Sequence, residues 1–123
     1  MRREARKHYD LMAWQQAMQL VKHVYEITCD FPTEEKYGLI SQMRRAAISV
    51  PSSIAEGAAR QSDKAFSKFL VIARGSLSEL DTQYLLAKQL NFTSGQAELE
   101  HQIDRVFGLL GGLLKSLQNE GVS

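Results

Sequence analysis

Apolar side chains recur through this chain at spacings of three and four, the period of one helical face, and nowhere at the alternating spacing of a strand. The first run predicts a helix over residues 11–29, with Trp14, Ala17, Met18, Val21, Tyr25 and Thr28 on one stripe. Ala13, Leu20, Val24 and Ile27 widen that stripe, so the helix is expected to be contacted on two sides, one of them a subunit interface. Asp10 stands where an N-cap belongs. Residues 1–10, with Arg2, Arg3, Arg6 and Lys7, read as a basic arm in front of it.

Phe31-Pro32-Thr33 separates the first helix from the second. Thr33 is the expected N-cap, Glu34 and Glu35 suit the positive start of a helix, and Pro32 is placed to pack on Tyr37. Ile40, Met43, Ala47, Val50 and Ile54 then line one face, opposite Gln42, Arg45, Ser49, Ser53 and Glu56. The phase survives Pro51, which predicts one kinked helix, although a proline in a helix interior costs roughly 3 kcal/mol. Ser62 and Asp63 open a long third helix with Phe66, Phe69, Leu70, Ala73, Leu77, Leu80, Tyr84 and Ala87 on its stripe, ending near Leu90-Asn91. Thr93 to Gln96 has capping-box spacing, and Leu99, Ile103, Val106, Phe107, Leu110, Leu114 and Leu117 mark a fourth helix. Residues 119–123 are expected to fray.

The predicted fold is all-α, an antiparallel up-and-down four-helix bundle over residues 11–118 with a proline-kinked second helix. If the second and third helices turn near Arg60, Ala46 and Ala47 face Ala73 and Arg74, and the two arginines Arg44 and Arg45 face Gly75 and Ser76. Small residues then meet, and Gly75 becomes a point of close approach. The same register sets Arg45 one turn from Glu79, and Glu56 one turn from Lys64 and Lys68, as structural ion pairs.

Length and charge narrow the function. A chain of 123 residues makes one domain, and 15 basic against 14 acidic residues leave a net charge of +1, too little for a global pull on nucleic acid. A single cysteine, Cys29, forms no internal disulfide framework and suits a reducing compartment. Neither a membrane span nor a signal-peptide core is apparent, so the expected location is the cytoplasm, with no membrane partner. Glu98-Leu99-Glu100-His101 supplies one Glu-x-x-His motif, but there is no second and the pair lies off the apolar stripe. With no triad spacing and no phosphate loop either, the expectation is a non-enzyme with no metal and no cofactor. Arg44, Arg60, Lys64, Lys68, Arg74 and the arm residues Arg2, Arg3 and Arg6 are the candidate nucleic-acid contacts; for each the competing reading is a structural ion pair or a solvated face.

The runs FPTEEKYGLISQMRRAAISVPSSIAEGAARQS and FSKFLVIARGSLSELDTQYLLAKQL resemble the small four-helix bundle family first associated with intervening sequences in bacterial 23S ribosomal RNA genes. The resemblance covers about Leu11 to Leu117 and is carried by Trp14, Pro32, Gly38, Gln42, Arg44, Arg45, Pro51, the Ile54-Ala55-Glu56-Gly57 run, Gly75, Ser76 and Glu79. Ser53 departs from it, because asparagine is common there. What the resemblance implies is a kinked second helix and a homopentameric ring. It also implies similarity to the accessory proteins of diversity-generating retroelements, which bind nucleic acid and a reverse transcriptase. The expected function is therefore a homo-oligomeric accessory protein that binds RNA or DNA, against the alternative of a protein-interaction scaffold with structural arginines.

Overall fold

The computed structural model describes residues 7–121, with side chains as far as residue 118. Four helices make up the fold: α1 (Met12–Thr28), α2 (Leu39–Ala58), α3 (Asp63–Gln89) and α4 (Ala97–Gly121). There is no strand among the described residues. α2 packs against α1 and α3, and α4 packs against the same two helices. The contacts fix the register of each neighbouring pair. Gly57 lies against Phe66 and Phe69, while Ser49 bonds Ser76 further along. Thr28 meets Arg44 at one end of the α1–α2 seam, and Trp14 and Met18 share a groove with Pro51 and Ala55 at the other. His23 meets Gln102, and Met12 meets Arg105.

Ile40, Met43, Ala47, Val50 and Ile54 of α2 are buried, as are the α3 stripe residues apart from half-buried Phe69. In α1 the core face is Ala13, Ala17, Leu20, Val24, Ile27 and Thr28. The expected stripe thus divides: Trp14, Met18, Val21 and Tyr25 form a second, outward apolar face, with Met18 48% exposed. Pro51 is buried inside α2, which is assigned as helix without a break from Leu39 to Ala58.

Helix ends depart from the sequence reading. α1 begins after Leu11, and neither Asp10 nor any other side chain caps it. Residues Lys7–Asp10 form a 3-10 turn in which the rings of His8 and Tyr9 pack on Trp14, so the structured part of the chain starts before Leu11. Thr33 opens only a 3-10 turn, Thr33–Glu35; Glu35 then caps α2 by accepting a 3.1 Å bond at Oε1 from the amide of Leu39. Tyr37 is 89% exposed and packs under no proline staple. Ser62 caps α3 as expected, accepting from the Ala65 amide. α3 ends on Asn91 at φ 62, with the amides of Phe92 and Asn91 returning to the carbonyls of Ala87 and Lys88, a Schellman stop. The expected capping box at Thr93 does not form: Thr93 Oγ1 accepts from the Gly95 amide, and the Gln96 amide donates to Tyr84 Oη. α4 extends through Gly121, and residues 122–123 lie outside the described residues.

Candidate nucleic-acid interface

Arg44 and Arg45 are adjacent on α2 and have different surroundings. The Arg44 side chain turns back over the end of α1, where Nε donates to Thr28 Oγ1 at 2.9 Å and the guanidinium lies 4.4 Å from the centre of the Tyr25 ring. Thr28 in turn donates to the Val24 carbonyl at 2.8 Å. This chain of contacts ties α1 to α2, so Arg44, expected among the phosphate contacts, is occupied in holding the fold. Arg45, expected to be structural, makes no ion pair among the described residues. It lines a polar groove of about 490 Å³ between α2 and α3 together with Ser49, Ser76 and Glu79. The expected Arg45–Glu79 pair therefore shares a groove without closing.

Two further structural expectations change. Glu56 pairs at 3.6 Å with Arg60, four residues on and just past the end of α2, rather than with Lys64 or Lys68. The like-numbered estimate of the hairpin placed residue 46 against 74; the Ser49–Ser76 bond of 2.9 Å shifts that register by several residues. Gly75 consequently faces open space, and a Cβ there would meet nothing within 4 Å. The close approach falls at Gly57, where a Cβ would lie 2.7 Å from Phe69 Cβ and 3.3 Å from the Phe66 carbonyl oxygen.

Of the remaining basic candidates, Arg60, Lys64 and Lys68 lie at one end of the bundle, and Arg74 does not. Arg60 lies at the α2–α3 turn and lines a cleft of about 450 Å³ with Gln61, Ser62, Asp63 and Phe66. Lys7, the last basic residue of the predicted arm, lines the same cleft. Lys64 and Lys68 follow on the first two turns of α3, both exposed, and Arg74 is exposed near the middle of that helix. Arg2, Arg3 and Arg6 lie outside the described residues. The turn and the start of the chain, 50 residues apart in sequence, thus converge on one end of the bundle.

The opposite end is built around Tyr84. Its buried hydroxyl donates to Glu100 Oε2 at 2.7 Å and accepts from the Gln96 amide at 2.7 Å, and Lys88 Nζ reaches the same carboxylate at 3.4 Å. The bonds from Tyr84 and Lys88 hold the Glu100 carboxyl below its usual pKa, whereas burial and the bond to Glu100 raise the Tyr84 phenol. Burial, with Asp104 and Glu100 nearby, raises Asp81. Between α1 and α4 a groove of about 760 Å³ is lined by His23, His101, Glu26, Glu98 and the amides of Gln16 and Gln102, with His23 Nδ1 3.2 Å from Gln102 Oε1. Spacing in the sequence did not relate His23 to His101; their shared groove arises from α1–α4 packing. No group of three or more His, Cys, Asp or Glu side chains among the described residues is arranged to hold a metal ion.

The sequence analysis missed an outward apolar face on α3. Val71, Ile72, Leu85, Leu86 and Leu90 are each 44–56% exposed, unlike the stripe beneath them. On the far side of α2, Trp14, Met18, Val21, Ile48, Pro51 and Ala55 line an open apolar groove of about 340 Å³. A tally of apolar residues between the stripe positions of α3 would have signalled the first of these. The protein is thus a small four-helix bundle with basic side chains gathered at one end and two uncovered apolar surfaces. It belongs to the 23S rRNA-intervening sequence protein family, whose model matches residues 9–112, from before α1 to beyond the middle of α4. No curated protein matches the chain. No helix among the described residues is long and apolar enough to cross a membrane.

Proposed function

We propose that the protein is a non-enzymatic, homo-oligomeric helical bundle that binds RNA or DNA as an accessory factor in the cytoplasm. The observation that carries this reading is the convergence of Lys7 and Arg60 on one cleft, with Lys64 and Lys68 exposed on the first turns of the adjoining α3. Lysine and arginine side chains on a polyanion release counterions, and this sequence-independent attraction needs no shaped pocket. The family name points to the RNA context. Uncovered apolar surfaces on α1–α2 and on α3 support self-association, because monomers rarely leave large patches open. By family resemblance the assembly is a pentameric ring, Pro51 bends α2 to suit closure, and the partner set extends to a reverse transcriptase of the diversity-generating kind.

Fluorescence anisotropy with a labelled RNA across a salt series tests this function, alongside sedimentation of the same sample. The expected result is binding at low salt that weakens steeply as salt rises, from an oligomer. No binding at low salt overturns the nucleic-acid reading. A second reading, a protein-interaction scaffold with structural arginines, is favoured by one observation: Arg44 is bound to Thr28 and Tyr25. It predicts an oligomer that leaves the labelled RNA free.

A further inference from the structure

The near-zero net charge hides a separation of charge along the bundle axis. The Ser49–Ser76 bond marks the middle of the α2–α3 pair and divides the molecule into two halves. The half containing the α2–α3 turn (7–20, 49–76 and 106–118) holds six basic against three acidic side chains, a net +3. The other half (21–48 and 77–105) holds six basic against nine acidic, a net −3. A helix of 20 residues is about 30 Å long, so the centres of the two halves lie about 15 Å apart. That exceeds the roughly 8 Å screening length at physiological salt, and a ligand there feels one end at a time.

Resting on the nucleic-acid reading above, we infer that the polyanion is engaged end-on at the pole formed by Lys7, Arg60, Lys64 and Lys68, and is turned away from the Tyr84–Glu100 pole. Several observations favour this placement over a lateral site. Along the bundle's sides, Arg44 is bound within the fold, Arg45 shares its groove with Glu79, and Lys22 and Arg105 share theirs with Glu26 and Glu98. At the turn pole, Lys64 and Lys68 make no ion pair among the described residues, and Arg60 is paired with Glu56 one turn back, both side chains more than half exposed, with its guanidinium 5.1 Å from the centre of the Phe69 ring. Such a surface pair is worth about 0–1 kcal/mol and yields readily to a phosphate. The field of the acidic end steers an approaching strand toward the basic end. In a cyclic oligomer whose bundle axes run along the ring axis the basic poles collect on one rim; a dihedral arrangement of such rings would place them on both.

Binding of a labelled single-stranded RNA and its duplex to the full chain tests the inference. Three proteins are compared: wild type, Lys64→Glu with Lys68→Glu, and Lys22→Glu with Arg105→Glu. Each double variant changes the net charge equally, and neither pole lysine has a partner whose loss would unfold the bundle. Circular dichroism and sedimentation check that all three share fold and assembly. The pole variant is expected to lose about ten-fold or more in affinity and to show a shallower salt dependence, the lateral variant to stay within a few-fold of wild type. Equal losses, or a larger loss in the lateral variant, overturn the end-on placement while leaving nucleic-acid binding intact. A wild-type protein that ignores both probes at low salt overturns the functional reading and this inference with it.

Discussion

At the scale of single residues, two glycines with the same helical setting have opposite surroundings. Gly57 is held against Phe69 and the Phe66 backbone, so a methyl group there forces helices α2 and α3 apart. Gly57→Ala is expected to cost about 1–3 kcal/mol, the range of an overpacked core, read as a lower denaturant midpoint. Gly75 meets nothing in its own chain, and Gly75→Ala should stabilise the protomer by up to about 1 kcal/mol through helix propensity. A Gly75→Ala protein that melts higher yet sediments smaller would identify Gly75 as a contact between copies. The acids around Tyr84 make a second prediction. Glu100 has a lowered folded pKa, so its contribution is complete above the ordinary glutamate range and disappears as pH falls through the folded value. Asp81 has a raised pKa, so the folded state takes up its proton first, and stability rises as pH falls through that raised value toward 3.8. Acidification should therefore act on the two in opposite directions: in a melting series Asp81→Asn removes a gain in stability, and Glu100→Gln removes a loss.

At the scale of elements, the four helices were legible because each buries a stripe at helical period, and the core of α2 and the stripe of α3 read straight from the spacing. Less legible were the helix starts. Glu35 reaches α2 across a 3-10 turn, and the amide before α4 is satisfied by Tyr84 from another helix, neither of which a local capping pattern contains. The basic pair was legible as important, but the surroundings of its members were not: Arg44 reaches back 16 residues to Thr28, a contact that depends on α1–α2 packing. Pro51 was legible as unusual, and it belongs to α2 as predicted. It leaves the Ala47 carbonyl without the amide that normally follows four residues later, in a segment where Ala47 and Val50 are fully buried. Pro51→Ala restores that bond and should raise protomer stability by up to about 3 kcal/mol, the cost of a proline in a helix interior. If the bend of α2 shapes the proposed ring, the same variant sediments as a smaller or mixed species; a variant that assembles as wild type removes the proline from that role.

At the scale of the whole molecule, the two uncovered apolar surfaces are unlike in shape. One is a groove containing Trp14, Met18, Ile48 and Pro51; the other is a ridge at Val71 and Ile72, about 20 Å along α3 from a separate exposed pair, Leu85 and Leu86. An isologous dimer joins a surface to its own copy, whereas a ring joins one surface to a different one on the next subunit. Groove against ridge gives the second kind, and mixing separates the two. Ile48→Glu disables the groove and Ile72→Glu disables the ridge; both positions are more than 40% exposed, so each protomer should keep its fold. In a head-to-tail ring each variant alone sediments as a monomer, because every contact needs both surfaces. Mixed in equal amounts, the intact groove of one accepts the intact ridge of the other, and the pair stops at a dimer with no way to close. Isologous contacts behave differently: each variant alone keeps its remaining surface and dimerises without the other. Dimers from either variant alone would therefore remove the head-to-tail contact, and with it the alignment that gathers the basic poles on one rim.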